Sequence, residues 1–368
     1  MANLLDYLEW RGDLTFADSA FNEVDALILS WLSYVALDGI VPEHCSPKDA
    51  VSFAETERLF FLTHNLDKIL NETQSFTKSS ALLLKKLAGC RRFSETKLTG
   101  FFNRIDYEKE SQFCAMTVML GDKETCVVFR GTDATLVGWK EDFNMSFLPV
   151  VPAQELALRY LEDAASAFSG KLMVAGHSKG GNLAIYAGVC CSDKVRRRIA
   201  AIYNNDGPGF YNVESLGSHY EEMLPKIQTY VPESAIVGVL LERDGDNVVV
   251  KSTAKYFEQH DALSWEVLGP HFVTVESVSE KSKLLSLTIR NWLKTLQKED
   301  REQFVDALYQ VLELTKAKTV DDLTAEWHKV ASAVIRNFGD LDKQTKQMLA
   351  KTVKLLLKEG RDAIKNNR

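Results

Sequence analysis

The chain has 368 residues, 45% hydrophobic and 26% charged, with a formal net charge of −7. This is globular composition with room for one large α/β domain and an extension, and its acidic balance offers no footing for nucleic acid. No apolar run approaches the roughly 20 residues that span a bilayer.

The first residues, Met1-Ala2-Asn3-Leu4-Leu5-Asp6-Tyr7, lack the basic start of a signal peptide. Cys45, Cys90, Cys114, Cys126, Cys190 and Cys191 show no C-x-x-C spacing and read as reduced thiols, so a cytosolic location is expected. Residues 20–37 carry Leu27, Ile28, Trp31, Leu32 and Val35 at helical spacing, between a start signal at Asp18-Ser19 and a stop at Asp38-Gly39. A core-facing helix is expected there. Residues 42–99 read as helical segments over 47–63 and 79–88, a layer or cap without evident chemistry.

The period then changes. Residues 113–120 and 125–129 flank Gly121-Asp122-Lys123-Glu124, a hairpin with a four-residue loop. The second strand runs into Arg130-Gly131-Thr132-Asp133, and residues 153–168 read as a helix. Leu172-Met173-Val174-Ala175 enters Gly176-His177-Ser178-Lys179-Gly180, and Asn182-Leu183-Ala184-Ile185 continues as a helix. Strands follow at 199–203, 227–231, 236–241 and 248–250, with a helix at 215–224. Such alternation predicts a mostly parallel sheet with helices on both faces and a site at the carboxyl ends of its strands. From about residue 278 the pattern is helical, over 284–296, 301–314, 320–338 and 341–364. Lys346, Lys351, Lys354, Lys358, Arg361, Lys365 and Arg368 make the last helix basic. A solvated face is the first reading, contact with a protein or membrane surface the second.

Strand, G-x-S-x-G, helix is the pattern of a nucleophile elbow, in which a strained turn lifts the serine above the sheet. Ser178 is therefore the candidate nucleophile. A serine must lose its proton as it attacks, which calls for a histidine base and a carboxylate that orients it. Among later histidines, His260 is the first candidate and His271 the reserve. Asp206, in Asn205-Asp206-Gly207-Pro208-Gly209 at a strand end, is the first candidate acid; Glu233 is the reserve, with Asp244 and Asp246 as further options. The backbone N–H of Lys179 and the Thr132 loop supply an oxyanion hole, with the threonine hydroxyl as an added donor and Asp133 or Asp142 holding the loop.

Val128-Phe129-Arg130-Gly131-Thr132, Gly138-Trp139-Lys140-Glu141-Asp142 and Gly176-His177-Ser178-Lys179-Gly180-Gly181 resemble the class 3 lipases. With Asp206-Gly207-Pro208-Gly209-Phe210 and Gln259-His260-Asp261, the pattern over roughly residues 15–275 is similar to an uncharacterised bacterial lipase-like family, the Mbeg-like group. The resemblance implies an α/β-hydrolase fold over residues 1–278 with a helical extension at 279–368. It also implies Ser178 as nucleophile, His260 as base, and Thr132 and Lys179 as oxyanion donors. The expected substrate is an acyl ester or lipid, with no cofactor or metal. Two departures stand out. Lys179 replaces an apolar residue after the nucleophile, where it could bind an anionic substrate group or pair with a carboxylate such as Asp206, and makes a purely apolar slot less expected. The segment Pro232-Glu233-Ser234-Ala235 lacks the aspartate that class 3 lipases carry there. A hydrolase-fold binding or scaffolding module is the alternative reading, and amide or thioester cleavage a narrower one.

Overall fold

The computed structural model describes residues 1–72, 78–94, 96–121, 123–313 and 343–366. The amino-terminal part supplies helices α1 (Leu4–Arg11), α2 (Glu23–Leu32), α3 (Phe53–Thr63), α4 (Leu66–Glu72) and α5 (Ser79–Ala88). α2 starts at Asn22, later than the Asp18-Ser19 signal. The Asn22 side chain accepts the Val24 and Asp25 N–H groups, while the Asp25 carboxylate accepts the Asn22 N–H at 3.1 Å. From Val24 to Leu32 α2 is buried on every side, as suits a helix inside a core rather than on it.

Nine strands form one sheet, in spatial order β1 (Val51–Ser52), β2 (Lys97–Asp106), β3 (Ser111–Gly121), β4 (Glu124–Phe129), β5 (Lys171–His177), β6 (Ile199–Asn205), β7 (Ile227–Pro232), β8 (Asn247–Val250) and β11 (Thr274–Val275). β4 to β8 are a parallel block; β1 to β3 and β11 extend it antiparallel. A separate two-stranded piece pairs β9 (Val267–Leu268) with β10 (His271–Phe272). The protein is therefore a mixed α/β fold with helices on both sheet faces. Along β5 the alternation divides the core: Met173 and Ala175 pack beneath α2 and the amino-terminal helices, Leu172 and Val174 against α7 (Pro152–Ala167) and α8 (Lys179–Cys190).

Three readings are corrected. Residues 42–99 are not only helical, because β1 lies within them and β2 begins at Lys97. The hairpin closes more tightly than a four-residue loop, with Gly121 opposite Glu124; Asp122 lies outside the described residues. Residues 236–241 are no strand but a turn with a 3-10 segment at Val237–Val239, since Gly238 is drawn onto the Asp206 carboxylate by its N–H at 3.0 Å.

α6 (Leu136–Asn144) lies between β4 and α7; α9 (Asp193–Arg196) and α10 (His219–Met223) connect later strands. Beyond the sheet come α11 (Glu280–Thr295), α12 (Lys298–Glu313) and α13 (Lys343–Asn366), α11 and α12 both packing on α13 and α12 on α6. The expected helix at 320–338 lies outside the described residues.

Candidate active site

β5 ends and α8 begins around Ser178, whose backbone takes φ 57° and ψ −133°. A non-glycine residue there is strained by about 1–3 kcal/mol, and the strain holds the side chain above the carboxyl edge of the sheet. The turn closes this tightly because Gly176 has no Cβ; one would collide with the Gly180 carbonyl. Ser178 is half-buried and faces a cavity of about 290 Å³.

Asp206 follows β6, which lies beside β5 with Asn205 paired to His177. Its own φ is 50°. This turn sends Oδ2 to His260 Nδ1 at 2.6 Å and leaves Oδ1 to accept the Gly238 N–H. Both groups are buried, His260 at 7% and Asp206 at 1% exposure. Bonded to a carboxylate, Nδ1 carries the proton and leaves Nε2 bare, and His260 lines the same cavity as Ser178. Ser178 Oγ makes no hydrogen bond to His260 here; such contacts tighten in substrate complexes.

A second histidine lies beneath. His177 is fully buried; its Nε2–H donates to the His260 carbonyl at 2.9 Å, and its Nδ1 accepts the Tyr34 hydroxyl at 3.1 Å. Burial, aided by His260, holds its pKa well below the usual histidine value, so it remains a neutral fixed linker. The Tyr34 hydroxyl in turn lies against Gly131. One run of contacts thus joins the Thr132 loop to the His260 loop. Gly131 is required at its end, because a Cβ there would strike the Tyr34 hydroxyl first.

With this geometry established, the likeness to known proteins can be weighed. The model of the Mbeg1-like family matches residues 87–310, more than half of the chain. The chain belongs to the Mbeg1-like family. The match begins at the end of α5 and runs into α12, further toward the carboxyl end than the motif resemblance reached. A solved structure of M37 lipase is similar at 13% identity and a TM-score of 0.37, covering 60% of this chain and 70% of that one. No curated protein matches.

In this Mbeg1-like chain the Thr132 hydroxyl is committed: it donates to Asp142 Oδ2 at 2.6 Å, so only its backbone N–H is left for another partner. The Lys179 N–H belongs to the unpartnered first turn of α8. Asp133 holds the same loop through Thr135 and Arg130. Burial pushes the Asp142 carboxyl up to about 6, against the opposing pull of Lys179 and the Thr132 hydrogen bond.

The Lys179 side chain corrects its reading. It is 1% exposed, pairs with Glu141 at 2.9 Å and donates to the Gln112 carbonyl and Oε1. Its carboxylate partner is thus Glu141, not Asp206. Burial alone would depress its pKa, but the Glu141 and Asp142 carboxylates outweigh it and hold the ammonium charged. The slot is accordingly apolar: Trp139, Phe143, Val237, Leu240, Trp292 and Phe304 are among its walls. The reserve residues lie elsewhere. His271 is exposed and pairs with Glu23 at 2.7 Å, and Glu233 contacts Gln259 rather than His260. Tyr34, His177 and Glu141 were not singled out from sequence. His177 and Glu141 stand inside the quoted motifs, which was the available signal; for Tyr34 there was none.

Proposed function

We propose that this chain is a serine hydrolase of the α/β-hydrolase type, with its catalytic body in residues 1–278 and a helical extension from 279, cleaving a carboxylic ester through an acyl-enzyme on Ser178. The observation that carries the reading is the 2.6 Å bond between His260 and Asp206, which leaves a bare Nε2 on the cavity that Ser178 enters. His260 Nε2 takes the Ser178 proton as Oγ attacks the acyl carbon. The charge that develops on the carbonyl oxygen falls to the Thr132 and Lys179 N–H groups and the start of α8. The imidazolium then protonates the departing alcohol. Water, deprotonated by the same nitrogen, releases the acid and restores Oγ–H. The apolar walls suit an acyl chain, which favours ester or lipid substrates over polar amides. Six free cysteines fit a reducing compartment, and we place the protein in the cytosol. Among the described residues no helix is long and apolar enough to cross a membrane.

A binding module without turnover is the competing reading; the missing Ser178–His260 hydrogen bond is on its side. A fluorophosphonate probe decides between them. Labelling at Ser178, absent in Ser178→Ala and slowed by about 10³-fold or more in Asp206→Asn, is the expected result. A wild-type protein that takes no label overturns the hydrolase reading.

A further inference from the structure

Arg301, near the start of α12, sits at the seam of two cavities. Its Nη1 donates to the Ser146 carbonyl at 2.7 Å and its Nη2 to the carbonyls of Leu293 and Leu296. Its Nε is buried with no partner, and no carboxylate pairs with it among the described residues. Burial of this cation, compensated by carbonyl dipoles and by the Tyr211 ring 5.4 Å from the guanidinium carbon but by no carboxylate among the described residues, lowers its pKa. A guanidinium held this way has an unfilled place for an anion.

The second cavity, about 320 Å³, shares Ser146, Leu241, Leu293 and Arg301 with the apolar one. It differs in chemistry. Arg290 and Lys294 line it, one turn apart on α11, and neither is ion-paired among the described residues. Among the described residues Glu214 and Glu242 are the only carboxylates on its wall, against three cations, so its formal charge there is positive. α11 therefore presents two faces: Ile289, Trp292 and Leu293 to the apolar cavity, Arg290 and Lys294 to the annex.

We propose that the two cavities receive one molecule, an amphiphilic ester whose acyl chain lies in the apolar cavity and whose phosphate-type headgroup lies in the annex against Arg301, Arg290 and Lys294. Three cations on the wall of one cavity, the Arg290 fork and the Lys294 ammonium among them, match several oxygens of one phosphate better than a single carboxylate. The word ester rests on the hydrolase reading; the binding does not.

The test is calorimetric binding to the Ser178→Ala protein, which cannot turn a substrate over, with dodecyl phosphate, dodecanol and inorganic phosphate as probes. Dodecyl phosphate is expected to bind about tenfold or more tightly than dodecanol at low salt, and far more tightly than inorganic phosphate. Arg290→Gln/Lys294→Gln, which alters exposed side chains only, should cut that preference severalfold and leave dodecanol binding unchanged. Arg301→Gln should abolish it. Equal binding of phosphate and alcohol overturns the proposal, as does a preference that survives the double variant. Inorganic phosphate binding as tightly as dodecyl phosphate would mean that the cavities act separately, and also overturns it. A failed fluorophosphonate labelling leaves these measurements standing, and a missing headgroup preference leaves the hydrolase reading standing.

Discussion

At the scale of single residues, the site depends on side chains that never meet substrate. Tyr34 packs against Gly131 and bonds His177, which holds the His260 carbonyl, so their loss is expected to displace the His260 and Thr132 loops together. Tyr34→Phe is expected to lower kcat by on the order of tenfold with KM little changed, and His177→Asn to do more; steady-state kinetics with a soluble ester checks both. Asp142 carries a pH dependence. Its carboxyl binds a proton more tightly in the fold, at about 6, than in the unfolded chain, near 3.8. The stability it contributes is therefore complete below about pH 4 and lost as pH rises through 6. Because its side chain is partly open to solvent, a loss of about 1–2 kcal/mol is expected. Denaturant unfolding from pH 4 to 7 should show this loss in wild type and not in Asp142→Asn.

At the scale of elements, Lys179 and Glu141 pin α8 to α6. Glu141 also accepts the Gln112 and Ala153 N–H groups, which ties in β3 and α7. Lys179→Met leaves that carboxylate buried without its cation and should cost about 3–5 kcal/mol. Lys179→Met/Glu141→Gln should cost clearly less than the two single changes added, a coupling readable by denaturant unfolding. The elbow was legible because strand period, glycines and serine are contiguous. The Asp206–His260 pairing was partly legible, since both residues follow strands. The partner of Lys179 was not, because Glu141 and Gln112 reach it across 38 and 67 residues. β2 was missed where Gly100, at φ 66°, and the irregular pairing between Thr99 and Phe102 break its alternation. The 236–241 run is apolar because it walls the cavity, and apolar residues at a cavity wall look like those of a strand.

At the scale of the whole molecule, the amino-terminal helices are clasped by one buried pair. Arg92, 1% exposed, meets Asp25 through two nitrogens at 2.8 and 2.5 Å and donates to the carbonyls of Leu14, Thr15, Ser19 and Ala20. Tyr7 adds its hydroxyl to Asp25 at 2.8 Å. Arg92→Met takes the cation from the buried carboxylate and a donor from four carbonyls, and a loss of about 3–5 kcal/mol is expected, seen as a lower Tm by calorimetry.

The nine-stranded sheet runs in the order of the chain itself. During synthesis each new strand can therefore join the edge left by its predecessor, with no slot held open for a later segment. The serine turn after β5 forms while β6 is still to come; the aspartate arrives with β6, and the histidine only after β8. A ribosome-bound fragment ending before β8 carries the Ser178 turn without His260. The Asp206–His260 pair can therefore form only once the parallel block of the sheet is complete.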